Sequence, residues 1–131
     1  MTAPEEVIQR YVDATSAADG DTAAALTADD AVIELPDGGV LKGKEGGRQF
    51  AAKHAETDGR KQAVTLTSLE ARTRNRFVAT LLMTNREVAT DELLYSMDVG
   101  SVIEVRDGLI TRHQVFPSPE EASAAAQQTE L

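Results

Sequence analysis

From Lys61 to Phe116 the chain alternates with a period of two, interrupted only by short runs of turn residues. The breaks fall at Asn75, at Thr90-Asp91 and at Asp107-Gly108, the last a strong signal for a tight hairpin. They divide the stretch into four strand segments, at about 62–73, 76–89, 92–106 and 109–116. Connections this short make successive strands antiparallel neighbours, because a parallel pair needs a crossover of roughly a dozen residues or more. Several segments exceed the usual strand length of roughly 5–6 residues, which predicts a strongly twisted and bent sheet.

The first half of the chain is mostly helical in pattern. Thr2 and Glu5 have capping-box spacing, Pro4 suits a first turn, and Glu5 and Glu6 favour the positive helix end. Val7, Ile8, Tyr11, Val12 and Thr15 then recur at helical spacing and define one buried face. Gly20 ends this helix, and Asp21 is placed to cap a short second one running to about Thr27, before a polar break at Asp29 and Asp30. A short strand over 31–35 follows, then turn chemistry at Pro36-Asp37-Gly38-Gly39 and a brief return at Val40 and Leu41. Gly43 to Gly47 is glycine-rich, and the stretch to about Thr57 is predicted as a third helix, closed by Asp58-Gly59. The GKEGG run lacks the full spacing of a phosphate-binding loop. At the far end, Ser118-Pro119-Glu120-Glu121 can cap an alanine-rich helix.

Composition narrows the classes of function. At 131 residues the chain has the size of one domain, able to bury roughly two-thirds of its unfolded surface. The absence of cysteine excludes disulfide frameworks, thiolate metal sites and cysteine nucleophiles, and fits a reducing cytoplasm. No apolar run approaches the roughly 20 residues that span a bilayer, so no membrane partner is expected. The first ten residues carry acid where a signal peptide needs base and then apolar residues. With 22 acidic against 13 basic residues and a net charge of −9, nucleic acid is not an expected partner. The one basic cluster, Arg72, Arg74 and Arg76 around Asn75, reads as an exposed hairpin tip.

Alternation sorts the strands into two faces. Phe77, Ala79, Leu81 and Met83 share one face with Tyr95, Met97, Val99, Ser101 and Ile103 of the next strand. This face is the more apolar and is expected to meet the helices. The opposite face, from Val78 to Thr84 and from Leu94 to Val102, is mixed and suits pairing with a second copy, so a homodimer through the outer sheet face is expected. The layout is α+β: three N-terminal helices packed on a strongly curved antiparallel sheet, a conical half-barrel with an internal pocket.

Two stretches, VIQRYVDATSAADGDTAAALTADDAVIELPDGGVLKGKEGGRQF and VGSVIEVRDGLITRHQVF, resemble the nuclear transport factor two-like superfamily, close to its SnoaL-like and ketosteroid isomerase-like branches. The resemblance covers nearly the whole chain through Phe116. It implies a cone-shaped domain over 1–117, with 118–131 as a tail able to form a short frayed helix. These stretches are signatures of a fold and not of one reaction.

The resemblance also allows specific chemistries to be compared residue by residue. Ketosteroid isomerase-like catalysis uses a carboxylate base at the end of the first strand, with a tyrosine and a protonated aspartate holding the oxyanion. Tyr11 stands at the tyrosine position, but Leu35 stands where the base belongs and Ser101 where the second donor belongs. A leucine carries no proton, and alternation aims the adjacent Glu34 to the other side. Limonene epoxide hydrolase-like enzymes use an Asp-Arg-Asp set; here Gln114 falls near one acid position, and Arg86 has no aspartate two residues later. SnoaL-like cyclases close rings with an acid or histidine in the cavity, a looser pattern that stays open here.

Histidine is the natural acid/base near neutral pH, and the chain has two. His113, in the phase that the resemblance directs to the cavity, is the candidate catalytic group, with Tyr11 as hydrogen-bond donor. The competing reading for each is a buried side chain with its polar atoms satisfied. Ligand contacts are expected from Ile33, Leu35, Phe50 and His54 in the first half. From the sheet, Leu81, Met83, Tyr95, Met97, Val99, Ser101 and Val115 are expected to join them. For His54, at the negative end of the third helix, a structural role competes. No cofactor and no metal site is expected, since two distant histidines lack a carboxylate at ligand spacing. Two readings of function follow: an isomerase- or cyclase-type enzyme acting on a small apolar carbonyl compound, or a non-catalytic ligand-binding or dimerisation module.

Overall fold

A computed structural model describes residues 3–129. The first helix, α1 (Pro4–Ser16), begins with proline in its first turn and acidic Glu5 and Glu6 beside it. Ala3 occupies the cap position without a side-chain hydrogen bond, and Thr2, expected to cap, lies outside the described residues. The second helix, α2 (Gly20–Ala25), is capped by Asp19 and not by Asp21: the Asp19 carboxylate accepts from both the backbone N–H and the hydroxyl of Thr22. Strand β1 (Thr27–Glu34) starts earlier than expected, so Asp29 and Asp30 are exposed strand residues and not a break.

A short return strand β2 (Val40–Lys42) leads directly into α3 (Gly43–Ala52), which begins within the glycine-rich stretch and ends short of Thr57. Close packing explains glycines inside a helix. A Cβ on Gly46 would sit 2.9 Å from the Leu41 carbonyl carbon, and one on Gly47 2.5 Å from Thr27 Oγ1. These glycines let α3 close onto the β1–β2 corner, at a cost of roughly 1 kcal/mol each in helix propensity.

Strands β3 (Arg60–Ala71), β4 (Arg76–Glu87), β5 (Leu93–Arg106) and β6 (Leu109–Phe116) complete a six-stranded sheet in the order β2-β1-β6-β5-β4-β3. Every neighbouring pair is antiparallel except β1–β6, which is parallel with Ile33 opposite His113. The expected antiparallel sheet is therefore mixed. Strand β1 reaches β6 across most of the chain, so no hairpin dictates its direction. Register shifts at 66/68, 85/86 and 104/105 bend the long strands, as bulges do.

The two sheet faces carry different layers. On the concave face, Val7, Ile8, Tyr11 and Val12 of α1 pack with Phe77, Ala79, Leu81, Ile103 and Val105. Each Val, Leu, Ile or Phe among them stabilises the fold by about 1.5–3 kcal/mol when fully buried. On the convex face, Ala122 and Ala126 of a fourth helix, α4 (Pro119–Thr129), pack on Val78 and Val102. Ser118 and Glu121 form a reciprocal cap at its start. The segment expected as a frayed tail over 118–131 is thus a docked helix as far as it is described; residues 130–131 lie outside. Arg72 donates to Ser123 on α4, and Arg76 pairs with Glu104 at 3.4 Å, so these two arginines are tied into the fold and are not a free tip. Among the described residues, no helix is long and apolar enough to cross a membrane.

Candidate functional site

Helices α1 and α3 do not fill the concave face, and a cavity of about 340 Å³ remains between them and the sheet. Helix α1 contributes Tyr11, Val12 and Thr15, while Phe50, Lys53 and His54 come from α3 and the turn after it. The strands contribute Val64, Leu81, Met83, Met97, Val99, Ile103 and Val115, a wall of hydrocarbon and thioether, with Gln62 beside them. Leu35, Pro36, Phe116 and Pro117 close one side. Met97, 41% exposed, marks the side open to water, and the buried Tyr11, Ser101 and His113 mark the closed end.

Those three residues form one hydrogen-bonded chain. Tyr11 Oη lies 3.0 Å from His113 Nδ1, and His113 Nε2 lies 3.0 Å from Ser101 Oγ. Their positions follow from the elements: Tyr11 sits on the buried face of α1, and Ser101 and His113 project from the same face of adjacent strands. A neutral imidazole donates through one nitrogen and accepts through the other. Two arrangements therefore satisfy the ring. Tyr11 donates to Nδ1 while Nε2–H donates to Ser101, or Ser101 donates to Nε2 while Nδ1–H donates to Tyr11. In the second, the Tyr11 hydroxyl proton is free for a molecule in the cavity.

Burial sets the protonation states. Desolvation, with a smaller contribution from His54, lowers the His113 pKa from 6.5 to about 3. Desolvation also raises the Tyr11 phenol well above its ordinary value, so both groups are neutral at physiological pH. Both His113 nitrogens are engaged by side chains, and burial disfavours its imidazolium. Its geometry suits it to orient Tyr11 and to pass a proton along the chain.

Phe50 organises the aromatic end. Its ring is stacked parallel to Tyr11 at 6.4 Å and meets His113 edge-on at 5.1 Å and His54 edge-on at 5.5 Å. His54 is 3% exposed, with its Nδ1 3.3 Å from the Phe50 carbonyl oxygen. Desolvation lowers its pKa below the usual histidine value.

Most of the residues expected at the pocket meet there: Tyr11, Leu35, Phe50, His54, Leu81, Met83, Met97, Val99, Ser101, His113 and Val115 all line it. Two do not. Ile33 shares its row with His113 but is fully buried on β1, the strand against which α3 packs, and does not line the cavity. Tyr95 is 48% exposed, opposite Asn85 at the last regular pair before the bulge at 85/86, where no helix covers the sheet. The sequence reading missed Val12, Thr15, Lys53, Gln62, Val64, Ile103 and the Pro36 and Phe116-Pro117 walls. Val12, Thr15 and Ile103 carry the helical or alternating signal of core residues; nothing local marks Lys53 or Pro117. Glu34 points away from the cavity, bonded to Arg112 and Gln114. Among the described residues no carboxylate lines the cavity, and no group of three or more His, Cys, Asp or Glu is placed to hold a metal.

Comparison with known proteins agrees with this architecture. The chain is similar to a candidate polyketide cyclase from Silicibacter sp. TM1040, with 26% identity, a TM-score of 0.70, and coverage of 96% of this chain and 94% of that one. It is also similar to the Δ5-3-ketosteroid isomerase of Mycobacterium sp., with 20% identity, a TM-score of 0.67, and coverage of 92% and 97%. A Mycobacterium tuberculosis protein in complex with estradiol-17β-hemisuccinate has 23% identity and a TM-score of 0.66, over 87% and 93% of the two chains. No curated protein matches by sequence. The family model of the SnoaL-like domain matches residues 8–113, from α1 through the histidine at the closed end of the cavity. The chain therefore belongs to the SnoaL-like domain family and has the nuclear transport factor two-like fold.

Proposed function

We propose that the cavity binds a small, largely apolar carbonyl compound, with Tyr11 donating a hydrogen bond to its oxygen, as the electrophilic half of an isomerase- or cyclase-type reaction. One observation carries this reading: the buried Tyr11–His113–Ser101 chain ends a cavity otherwise walled by hydrocarbon. An apolar body gains by leaving water, and a single polar end gains by meeting a preorganised donor in a site of low dielectric. A ligand oxygen at Tyr11 selects the arrangement in which Ser101 donates to His113 and His113 donates to Tyr11, so the donor is supported from behind. The fold of a ketosteroid isomerase and of a steroid-ester complex fits a ligand of this class.

The infrared carbonyl stretch of bound 2-tetralone tests the reading. A donor at Tyr11 lowers the frequency relative to hydrocarbon solvent, and Tyr11→Phe removes the shift. A bound ketone whose stretch is the same in both proteins contradicts it.

The alternative, a binding module without turnover, is favoured by the low basicity of His113 and the lack of a cavity carboxylate. We also propose a homodimer through the part of the convex face that α4 leaves uncovered, where Leu94 is 39% exposed. Sedimentation equilibrium tests it, with a monomer at all concentrations as the contrary result.

A further inference from the structure

We propose that His54 is the proton acceptor of this cavity, acting through Nε2 on a carbon next to the carbonyl held by Tyr11. The inference rests on the carbonyl-binding reading above and adds to it the base that reading lacks.

The two histidines differ in their hydrogen bonds. His113 has both nitrogens engaged by side chains that can donate or accept. His54 meets only backbone carbonyl oxygens, that of Phe50 at Nδ1 and that of Ala51, and a carbonyl oxygen only accepts. Nδ1 therefore carries the hydrogen, and Nε2 carries the lone pair. Nε2 has no hydrogen-bond partner among the described residues. The only polar side-chain atoms that are both sealed from surface and unpartnered there are Arg72 Nε and Asn85 Oδ1, so Nε2 keeps open surface. The side chain itself lines the cavity while the residue is otherwise buried, which directs that surface inward.

An oriented base needs these parts: a lone pair on the cavity side, with the opposite nitrogen fixed by an acceptor that also favours the imidazolium once formed. Phe50 meets both histidines edge-on and stacks on Tyr11, so the donor and the base line the same aromatic end of the cavity. The other titratable side chains lining the cavity are Tyr11, Lys53 and His113. Burial lowers the basicity of His54, so it is in its accepting form at neutral pH.

The step balances without a co-reactant. Nε2 takes the α-proton, the C–H electron pair becomes the enolate double bond, and the carbonyl π pair moves onto oxygen, which accepts from Tyr11. The imidazolium either exchanges its proton with water before returning one to the same carbon, giving isotope exchange, or returns it to a conjugated carbon, giving isomerisation, with no change in oxidation state.

The test uses 2-tetralone with the full chain in D2O, following α-deuterium incorporation by NMR and binding by calorimetry. Wild type is expected to bind the ketone and to accelerate exchange above buffer. His54→Gln should bind comparably and lose about 10²–10⁴-fold of that acceleration. The wild-type rate should rise with pH through a value below 6.5 and then level, following neutral His54. Binding without exchange in wild type, or equal exchange in His54→Gln, overturns the inference and leaves the binding site standing. Absence of binding by wild type removes both. If His54→Gln does not fold, 15N NMR of wild-type imidazoles decides: the Nδ1–H tautomer of His54 at pH 8 supports the inference, and the Nε2–H tautomer overturns it.

Discussion

The two ends of the β4–β5 ladder are made from the same alternating pattern and meet different surroundings. Around Phe77–Leu81 and Val99–Val105 both sheet faces are covered, by α1 and the cavity inside and by α4 outside. At the other end Leu93, Leu94, Tyr95 and Met97 are 39–48% exposed, although their sequence is just as apolar. Alternation assigns a side chain to a face, and tertiary packing decides whether anything lies over that face. The covered end can therefore host a dry polar chain such as Tyr11–His113–Ser101, which the exposed end could not keep from water.

The largest break in this contrast comes from the covered end. Ile103→Ala removes a buried side chain that both packs the core and lines the cavity, and should cost about 2–5 kcal/mol in urea unfolding. A loss under 1 kcal/mol would mean that this end is loosely packed. Gly100 sharpens the role of the outer layer. A Cβ there would lie 2.7 Å from Ala122 Cβ and 2.8 Å from the Ser118 carbonyl oxygen. Gly100→Val should displace α4 and cost roughly 1–3 kcal/mol, with new proteolysis near residue 118 as the readout. Unchanged protection would mean that α4 is seated by other contacts.

Acid should act on the covered end as well. His113 is neutral in the folded chain down to about pH 3, whereas in the unfolded chain it protonates near 6.5. Below that value the unfolded state binds more protons, so stability is full above about 6.5 and is lost as pH falls toward 3. The slope approaches about 1.4 kcal/mol per pH unit for one such group, and His54 contributes in the same direction. Unfolding at pH 7 and pH 5, where most carboxylates remain ionised, should show the loss in wild type and a smaller one in His113→Gln. Equal slopes would contradict a buried neutral His113. The smallest effect belongs to the exposed end: Tyr95→Ser should change monomer stability by no more than about 0.5 kcal/mol. A larger cost would show that a covering surface is present in solution.

The same contrast explains what was legible in the sequence. Long alternating segments with Asp107-Gly108 between them announced the β5–β6 hairpin, and helical spacing announced the buried face of α1. His113, Tyr11 and Ser101 were singled out individually, because phase and resemblance aimed them at one space. Their mutual hydrogen bonding was not legible, since it depends on the register Ser101↔Val115 and Ile103↔His113 and on the depth of α1. The reason for Gly46 and Gly47 was not legible, because glycine signals a turn and a tight helix contact alike. Tyr95 and Ile33 differ from expectation in opposite ways: the first is left exposed, and the second is buried completely.

The central claim is that Tyr11, held by neutral His113, recognises an oxygen at the closed end of an apolar cavity. Calorimetric binding of 2-tetralone and of tetralin, its hydrocarbon counterpart, to wild type and to Tyr11→Phe tests it most directly. The ketone should bind wild type more tightly than the hydrocarbon by about 0.5–1.5 kcal/mol, and Tyr11→Phe should erase that preference while still binding both. A ketone preference that survives in Tyr11→Phe, or no binding of either compound to wild type, contradicts it.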